Sequence, residues 1–399
     1  MLALPVVLLS EAPPRRVPAP FTVFPVIPRW STTIAPGLDG RPEFDGTRAF
    51  VPLSGGKLGA YDLLAGTELW TVEQPPPVAM TAADGRVFHF AADRLTALDA
   101  ETGRTLWQIP LEAPPTAPPV SSAGWLVVGS GRTITAIRAE DGMVLWVQTV
   151  AGTVVRAPAI LGSRVHVALD EGRLVSLFIQ NGTQVWERRL GGSPQPILAF
   201  GERLYVGAAD NYFYCVRALD GEILWRWRTG ADIVGAAVHD EVRVYFVSMD
   251  NVLRALDAGT GSQRWKKPLP LRPTGGPILV NDVLLLAGLG SSVLGFQLKD
   301  GASAGEFDAG GLLAAPTHVV SNATLLAPLL VSITRAPTTG TKMTALTRDF
   351  EPPARPIMPL PNAAPMERLP GVQLGPAASD VPPVPGEVDP RSQTKGRGR

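Results

Sequence analysis

The sequence predicts an all-β protein: an eight-bladed β-propeller of four-stranded antiparallel blades, closed by an N-terminal strand that completes the last blade. Seven blades is the fallback if the last unit is irregular. Three observations predict this fold. First, a glycine is followed four residues later by a tryptophan at Gly66/Trp70, Gly103/Trp107, Gly142/Trp146, Gly182/Trp186, Gly221/Trp225 and Gly261/Trp265, and the turn recurs without its tryptophan at Lys299–Gly305. The glycines step by 37, 39, 40, 39, 40 and 40 residues, and a fixed period near 40 marks a repeat architecture. Second, between the turns lie short runs that alternate apolar and polar residues and are rich in β-branched and aromatic types, with no helical periodicity from 37 to 347. Third, one tryptophan-bearing strand has no unit of its own, and one unit lacks its last strand.

In chain order, Met1–Ser10 has the length of the apolar centre of an export signal but no basic residues before it. Two expectations stay open for 1–20: a degraded export signal with a proline-rich lead-in, or an irregular apolar N-terminus of a cytoplasmic protein. Phe21–Pro36 carries Pro28-Arg29-Trp30-Ser31-Thr32-Thr33-Ile34, which matches the surroundings of each repeat tryptophan but follows no turn glycine. It reads as an orphan outer strand. The second unit shows the common plan: strands Val78–Ala82, Gly85–Ala91, Arg94–Leu98 and Arg104–Ile109, the last holding Trp107. Blades are expected at 37–73, 77–110, 116–149, 155–190, 195–229, 234–269 and 273–308. An eighth set, Ala315–Val319, Thr324–Val331 and Lys342–Thr347, lacks a fourth strand, and the strand around Trp30 fits the vacancy. Joining the two ends closes the ring and removes an open sheet edge.

The turns have a mechanism. Asp99, Asp141, Asn181, Asp220, Asp257 and Asp300 precede the repeat glycine by one to four residues, where a short polar side chain bonds the turn backbone. The glycine supplies the positive φ that a short hairpin loop needs. Each tryptophan is a large anchor that removes roughly 150–250 Å² from water. A single blade cannot bury both its faces, so each anchor is expected to pack on a neighbouring blade.

Composition excludes several classes. Lys+Arg and Asp+Glu both number 36, so bulk charge points to neither nucleic acid nor a membrane surface. Cys215 is the single cysteine, which rules out an intrachain disulfide and a cysteine metal site, and a buried inert thiol is expected. No segment has the roughly 20 apolar residues of a membrane-spanning helix. His89, His166, His239 and His318 fall in different blades with no paired spacing, so packed or surface roles are expected. No calcium loop, phosphate loop, dinucleotide fingerprint or nucleophile elbow is present, and no catalytic, cofactor or metal residue is assigned. Residues 351–399, with twelve prolines and a basic end, read as a disordered proline-rich tail after a propeller spanning 21–350. Trp125 and Trp227 lie outside the repeat position; Trp125 is expected in the core, and Trp227 in core or inter-blade packing rather than as a binding platform.

Two surface features are candidates for partner binding. Second-to-third hairpins and blade connectors share one face of the disc, where Asp170-Glu171, Asp210-Asn211 and Asp250-Asn251 suggest an acidic rim. The alternative is ordinary Asp/Asn turn chemistry. Past three tryptophans come Arg188/Arg189, Arg226/Arg228 and Lys266/Lys267, expected as a basic stripe at the outer edge. The alternative there is charge that protects exposed edge strands.

Ala-Leu-Asp-Ala-x-Thr-Gly-x-x-x-Trp, present at Ala97–Trp107 and Ala255–Trp265, resembles the pyrroloquinoline quinone (PQQ) repeat, over roughly residues 24–347. The resemblance implies one of two kinds of protein. Quinoprotein alcohol and glucose dehydrogenases hold PQQ and calcium on the propeller axis. Non-enzymatic relatives of the BamB type are scaffolds for outer-membrane β-barrel assembly and bind no quinone. The adjacent cysteine pair of the alcohol dehydrogenases cannot exist here, no CxxCH haem motif occurs, and the even spacing leaves no room for long insertions. The expectation is therefore a non-catalytic, BamB-like protein-binding scaffold without cofactor, monomeric and periplasmic or otherwise extracytoplasmic. The alternatives are a PQQ/calcium-dependent oxidoreductase and a propeller that binds a small ligand or sugar, and a cytoplasmic location is the alternative compartment.

Overall fold

A computed structural model describes residues 23–348, except 92, 322–324, 326 and 337–339. The expected export signal and lead-in at 1–20 and the expected tail at 351–399 lie outside the described residues. Between them the chain forms eight antiparallel sheets, with no helix among the described residues. Seven sheets pair four strands in sequence order; blade 4, for example, runs Ala159–Leu161, Arg164–Ala168, Arg173–Phe178 and Gln184–Arg189. First strands of successive blades approach one another, so they line the axis and the tryptophan strands form the rim.

Strand and turn follow from residue type. Second and third strands are buried on both faces and read as continuous apolar runs, such as Arg243–Ser248 and Val252–Asp257. Fourth strands alternate half-buried and exposed residues because only one face is covered. The turn aspartates work as expected: Asp99 Oδ1 accepts from the backbone N of Glu101 at 3.1 Å and of Thr102 at 2.8 Å. Where the acid directly precedes the glycine, it accepts from the residue two further on, as Asp141 does from Met143 N at 3.1 Å.

Among the described residues, eight hydrophobic clusters hold the core, each shared between two neighbouring blades. One joins Ala49, Val51 and Leu53 of the first blade to Val331, Ile333 and Met343 of the last, which closes the ring. Val26–Ile34 pairs antiparallel with Gly340–Arg348 and supplies the missing outer strand, with Trp30 opposite Ala345.

The last blade departs from the expected boundaries. Its second strand is Leu329–Ala336 rather than Thr324–Val331, and its inner edge is split between Leu312–Leu313 and His318–Val320. The buried run Leu329–Val331 begins the strand instead of ending it. The cause is the third strand, Gly340–Arg348, nine residues long, which draws its partner out as far as the pair Ala336–Gly340.

The repeat motif is an inter-blade staple. Each repeat glycine has φ between +70° and +79° and lies under the tryptophan of the preceding blade: Gly66 under Trp30, Gly103 under Trp70, Gly142 under Trp107, Gly182 under Trp146, Gly221 under Trp186, Gly261 under Trp225 and Gly301 under Trp265. A Cβ on Gly142 would stand 2.7 Å from Trp107 Cε3, so both the turn conformation and the contact demand glycine. Most of these indoles also donate to the same turn, for example Trp30 Nε1 to Leu64 O at 3.1 Å and Trp186 Nε1 to Ala218 O at 3.0 Å. Blade 7 has Gly305 where the tryptophan would stand, and the ring of Phe24 fills that space against Gly295 and Gly305.

A second staple accompanies the first. Arg164, Arg203 and Arg243 open the second strands of blades 4 to 6, and each Nη1 donates to two turn carbonyls of the following blade: Ala218 and Leu219, Ala258 and Gly259, Leu298 and Lys299. At Ala258 the carbonyl also accepts from Tyr205 Oη at 2.9 Å, and the Trp225 indole N–H is left without a partner.

Candidate protein-binding surface

The acidic hairpins lie on the connector face as expected, but three of the four carboxylates bind the connectors entering their blades, directly or through Tyr214. Asp170 Oδ1 accepts from Thr153 N at 3.0 Å, and Asp250 Oδ2 from Gly230 N at 3.0 Å. Asp210 accepts from Tyr212 N at 3.0 Å and from the Tyr214 hydroxyl, which in turn accepts from Gly191 N at 3.4 Å. Each acid thus ties its hairpin to the connector entering its blade. A Cβ on Gly152, Gly191 or Gly230 would come within 2.4, 2.3 and 2.9 Å of the respective carboxylates. Asp250 is further gripped by Arg254 Nη2 at 2.6 Å and Ser248 Oγ at 2.5 Å. Burial alone would raise the Asp250 carboxyl, but the hydrogen bonds from Arg254, Ser248 and Gly230 outweigh it and hold it at about 2. Glu171 differs: it stands out with its side chain 63% exposed and pairs only with Arg173 at 3.1 Å.

The basic residues divide between two faces: Arg189, Arg226, Arg228 and Lys266 lie at odd offsets from their tryptophans and are exposed, whereas Arg188 and Lys267 lie at even ones. Arg188 lies two residues past its tryptophan, so it shares that residue's inter-blade face, and its Nε donates to Gly221 O at 2.6 Å. Thr32, two past Trp30, makes the equivalent bond to Gly66 O at 2.6 Å. Arg226 and Lys266 lie one residue past, and both are exposed on the opposite face. Arg226 covers the ring of Tyr212 at 4.9 Å. In blade 4 the equivalent position is Glu187, which pairs with Arg173 at 3.4 Å.

Other candidates take structural places. The Cys215 thiol is buried between Tyr205 and Trp225 and pushed up to about 11, chiefly by burial. Trp125 packs at the interface of blades 3 and 4, and Trp227 beside Trp225 at that of blades 5 and 6. His89 bonds Pro75 O at 2.8 Å, His239 stacks on Phe200, and His318 on Phe44. Among the described residues, no group of three or more His, Cys, Asp or Glu is placed to hold a metal ion.

On the axis, the first strands and connectors of blades 1 to 4 enclose a cavity of about 600 Å³ that includes Arg41, Glu43, Met80, Thr116 and Arg156. Burial raises the Glu43 carboxyl to about 7, against the pull of Arg41. Glu43 shares this cavity with the guanidiniums of Arg41 and Arg156.

The fold and these surfaces define a class: a closed eight-bladed propeller of PQQ-like blades whose repeated features serve packing. The family profile described as outer membrane protein assembly factor BamB matches residues 28–117, 91–199 and 190–307, and the chain belongs to that family. The outer membrane protein assembly factor BamB of Yersinia pestis is 27% identical over 214 residues, which are 45% of this chain and 54% of that protein, so the match spans about half the relative's length. The crystal structure of BamB from Moraxella catarrhalis superposes with a TM-score of 0.64 at 17% identity, covering 81% of this chain and 99% of that one. The quinohemoprotein alcohol dehydrogenase of Comamonas testosteroni shares the fold, with a TM-score of 0.62 at 14% identity over 81% of this chain and 76% of its own.

Proposed function

We propose that this chain is a non-catalytic protein-binding scaffold in outer-membrane protein assembly, working outside the cytoplasm as a monomer and without a cofactor. The observation that carries this is the family match over 28–307, which takes in the first seven blades. The repeat residues support it: glycine, tryptophan, arginine and the hairpin acids are spent on joining blades, which leaves a rigid ring whose outer side chains are free for contact. The docking surface assigned here is on blades 4 to 6, through Glu171, Arg226 and Lys266, with Asp170, Asp210, Asp250 and Arg188 shaping it from beneath. Affinity purification of the tagged chain from solubilised envelopes tests the role. Recovery of outer-membrane assembly proteins is expected, reduced by the double change Arg226→Glu/Lys266→Glu. Recovery of none of them overturns the role, and unchanged recovery with the double variant overturns the surface.

A further inference from the structure

In five blades, one position of the second strand faces the next blade and rests against its own blade's tryptophan: Phe50 on Trp70, Phe88 on Trp107, His166 on Trp186, Tyr205 on Trp225 and Tyr245 on Trp265, with ring centroids 5.8–6.0 Å apart. In blades 5 and 6 the phenol fills the slot, and its hydroxyl finds a partner: Tyr205 donates to Ala258 O, and Tyr245 to Asp240 at 2.6 Å. In blade 4 the smaller imidazole stops short. His166 is 1% exposed, and neither ring nitrogen has a hydrogen-bond partner. It lines a cavity of about 310 Å³ between blades 4 and 5, walled by Leu161, Leu219 and Arg164, with Glu202 and Arg217 among its residues. Ser176, the cross-strand neighbour of His166, is likewise buried with its hydroxyl unpartnered.

Both guanidiniums around this cavity are already committed, and the Glu202 carboxylate is the charge left over. Arg164 Nη1 holds two carbonyls of blade 5 and its guanidinium lies 5.6 Å from the Phe178 ring, and Arg217 pairs with Asp220 and Glu222. What is unsatisfied is a buried imidazole, offering one donor and one acceptor in its neutral form. A buried polar group of this kind calls for a partner or another physical reason. A cation would meet one carboxylate, Glu202, beside two guanidiniums, and an anion has no free guanidinium fork. We propose that the slot between blades 4 and 5 is a binding site for a phenol, a small aromatic ring whose hydroxyl bonds His166 where blades 5 and 6 carry their own tyrosine. Its volume lies at the small end for ligand sites and exceeds that of dry cavities known to admit benzene. Burial, reinforced by Arg164, lowers the His166 pKa to about 4, so the ring is neutral and able to accept a hydrogen bond from the phenolic hydroxyl across the physiological range.

The inference is independent of the scaffold role, and a titration of the full chain tests it. p-Cresol should bind saturably with a dissociation constant on the order of 1 mM, raise Tm by about 2 °C at ten times that concentration, and shift the His166 imidazole ¹⁵N resonances. Toluene, which lacks the hydroxyl, should bind at least about tenfold more weakly. His166→Tyr should fill the slot, raise Tm and abolish p-cresol binding. If that variant does not fold, His166→Phe serves instead and should make p-cresol and toluene equivalent. N-acetyltyrosinamide separates the two sources of a phenol: binding as tight as p-cresol points to a tyrosine of a protein partner, and binding of p-cresol alone to a free small molecule. Non-saturable p-cresol, equal binding of toluene to the wild type, or undiminished binding to the tyrosine variant would overturn the proposal, with only water then occupying the slot.

Discussion

The staple makes a quantitative prediction that separates it from a motif acting within one blade. Trp107 belongs in sequence with Gly103 but packs on Gly142, and donates to Ala139 O at 3.2 Å. Trp107→Ala should cost about 3 kcal/mol, the low end for a large-to-small change, because the ring is only half-buried. Gly142→Ala carries two costs. Forcing alanine to a φ of +79° costs about 1–2 kcal/mol. Driving a Cβ to 2.7 Å from the Trp107 ring adds about 1–3 kcal/mol of overpacking. With Trp107 already alanine, the second cost disappears, so the double variant should be about 1–3 kcal/mol more stable than the sum of the singles. Urea unfolding, followed by tryptophan fluorescence and far-ultraviolet circular dichroism, measures the cycle. The control is Gly103→Ala with Trp107→Ala, which should add to within about 0.5 kcal/mol because Gly103 lies under Trp70. Additivity at 142 together with coupling at 103 would refute the inter-blade staple.

Three further outcomes follow from the same contacts. Phe24→Ala should cost about 3 kcal/mol and loosen the junction of blades 7 and 8, as read by hydrogen exchange in Ser292–Gln297, because its buried ring replaces the absent tryptophan. Arg203→Met, which keeps much of the apolar stem but loses the bonds to Ala258 and Gly259 carbonyls, should cost about 1–3 kcal/mol, and exposed Arg226→Met less than about 0.5 kcal/mol, in parallel urea titrations. The His166 imidazole is held at about 4, below its free value of 6.5, so its neutral form favours the fold above pH 6.5 and that stability is lost as pH falls toward 4. Wild type should therefore lose about 2 kcal/mol relative to His166→Phe between pH 7 and pH 5, and a difference that stays constant with pH would contradict this assignment.

The ring was legible because period and turn chemistry point the same way in every unit, and the closing strand around Trp30 was legible because one tryptophan and one vacancy matched. Phe24 was not, since it lies outside the period and replaces blade 7's missing tryptophan only through space. The arginine staple left a signal that went unused: Arg164, Arg203 and Arg243 recur at 39 and 40 residues, at the start of second strands. The acidic rim was half legible. An aspartate in a turn looks the same in sequence whether it faces solvent or a connector, and the telling partners were Gly152, Gly191 and Gly230, 39 residues apart. The basic stripe was legible only in part, because its residues mix odd and even offsets from their tryptophans. Because strand side chains alternate faces, Arg188 at two past its tryptophan and Arg226 at one past point to opposite sides. The His166 slot shows only when blades are aligned, as the one unit where histidine stands in register with two tyrosines.

The scaffold role rests most directly on what the cell envelope loses without the protein. Deleting its gene and quantifying the outer-membrane proteome should show a fall in β-barrel proteins that is restored by the wild-type chain and only weakly by Arg226→Glu/Lys266→Glu. An unchanged outer-membrane proteome, with loss of a PQQ-dependent oxidation instead, would contradict the account.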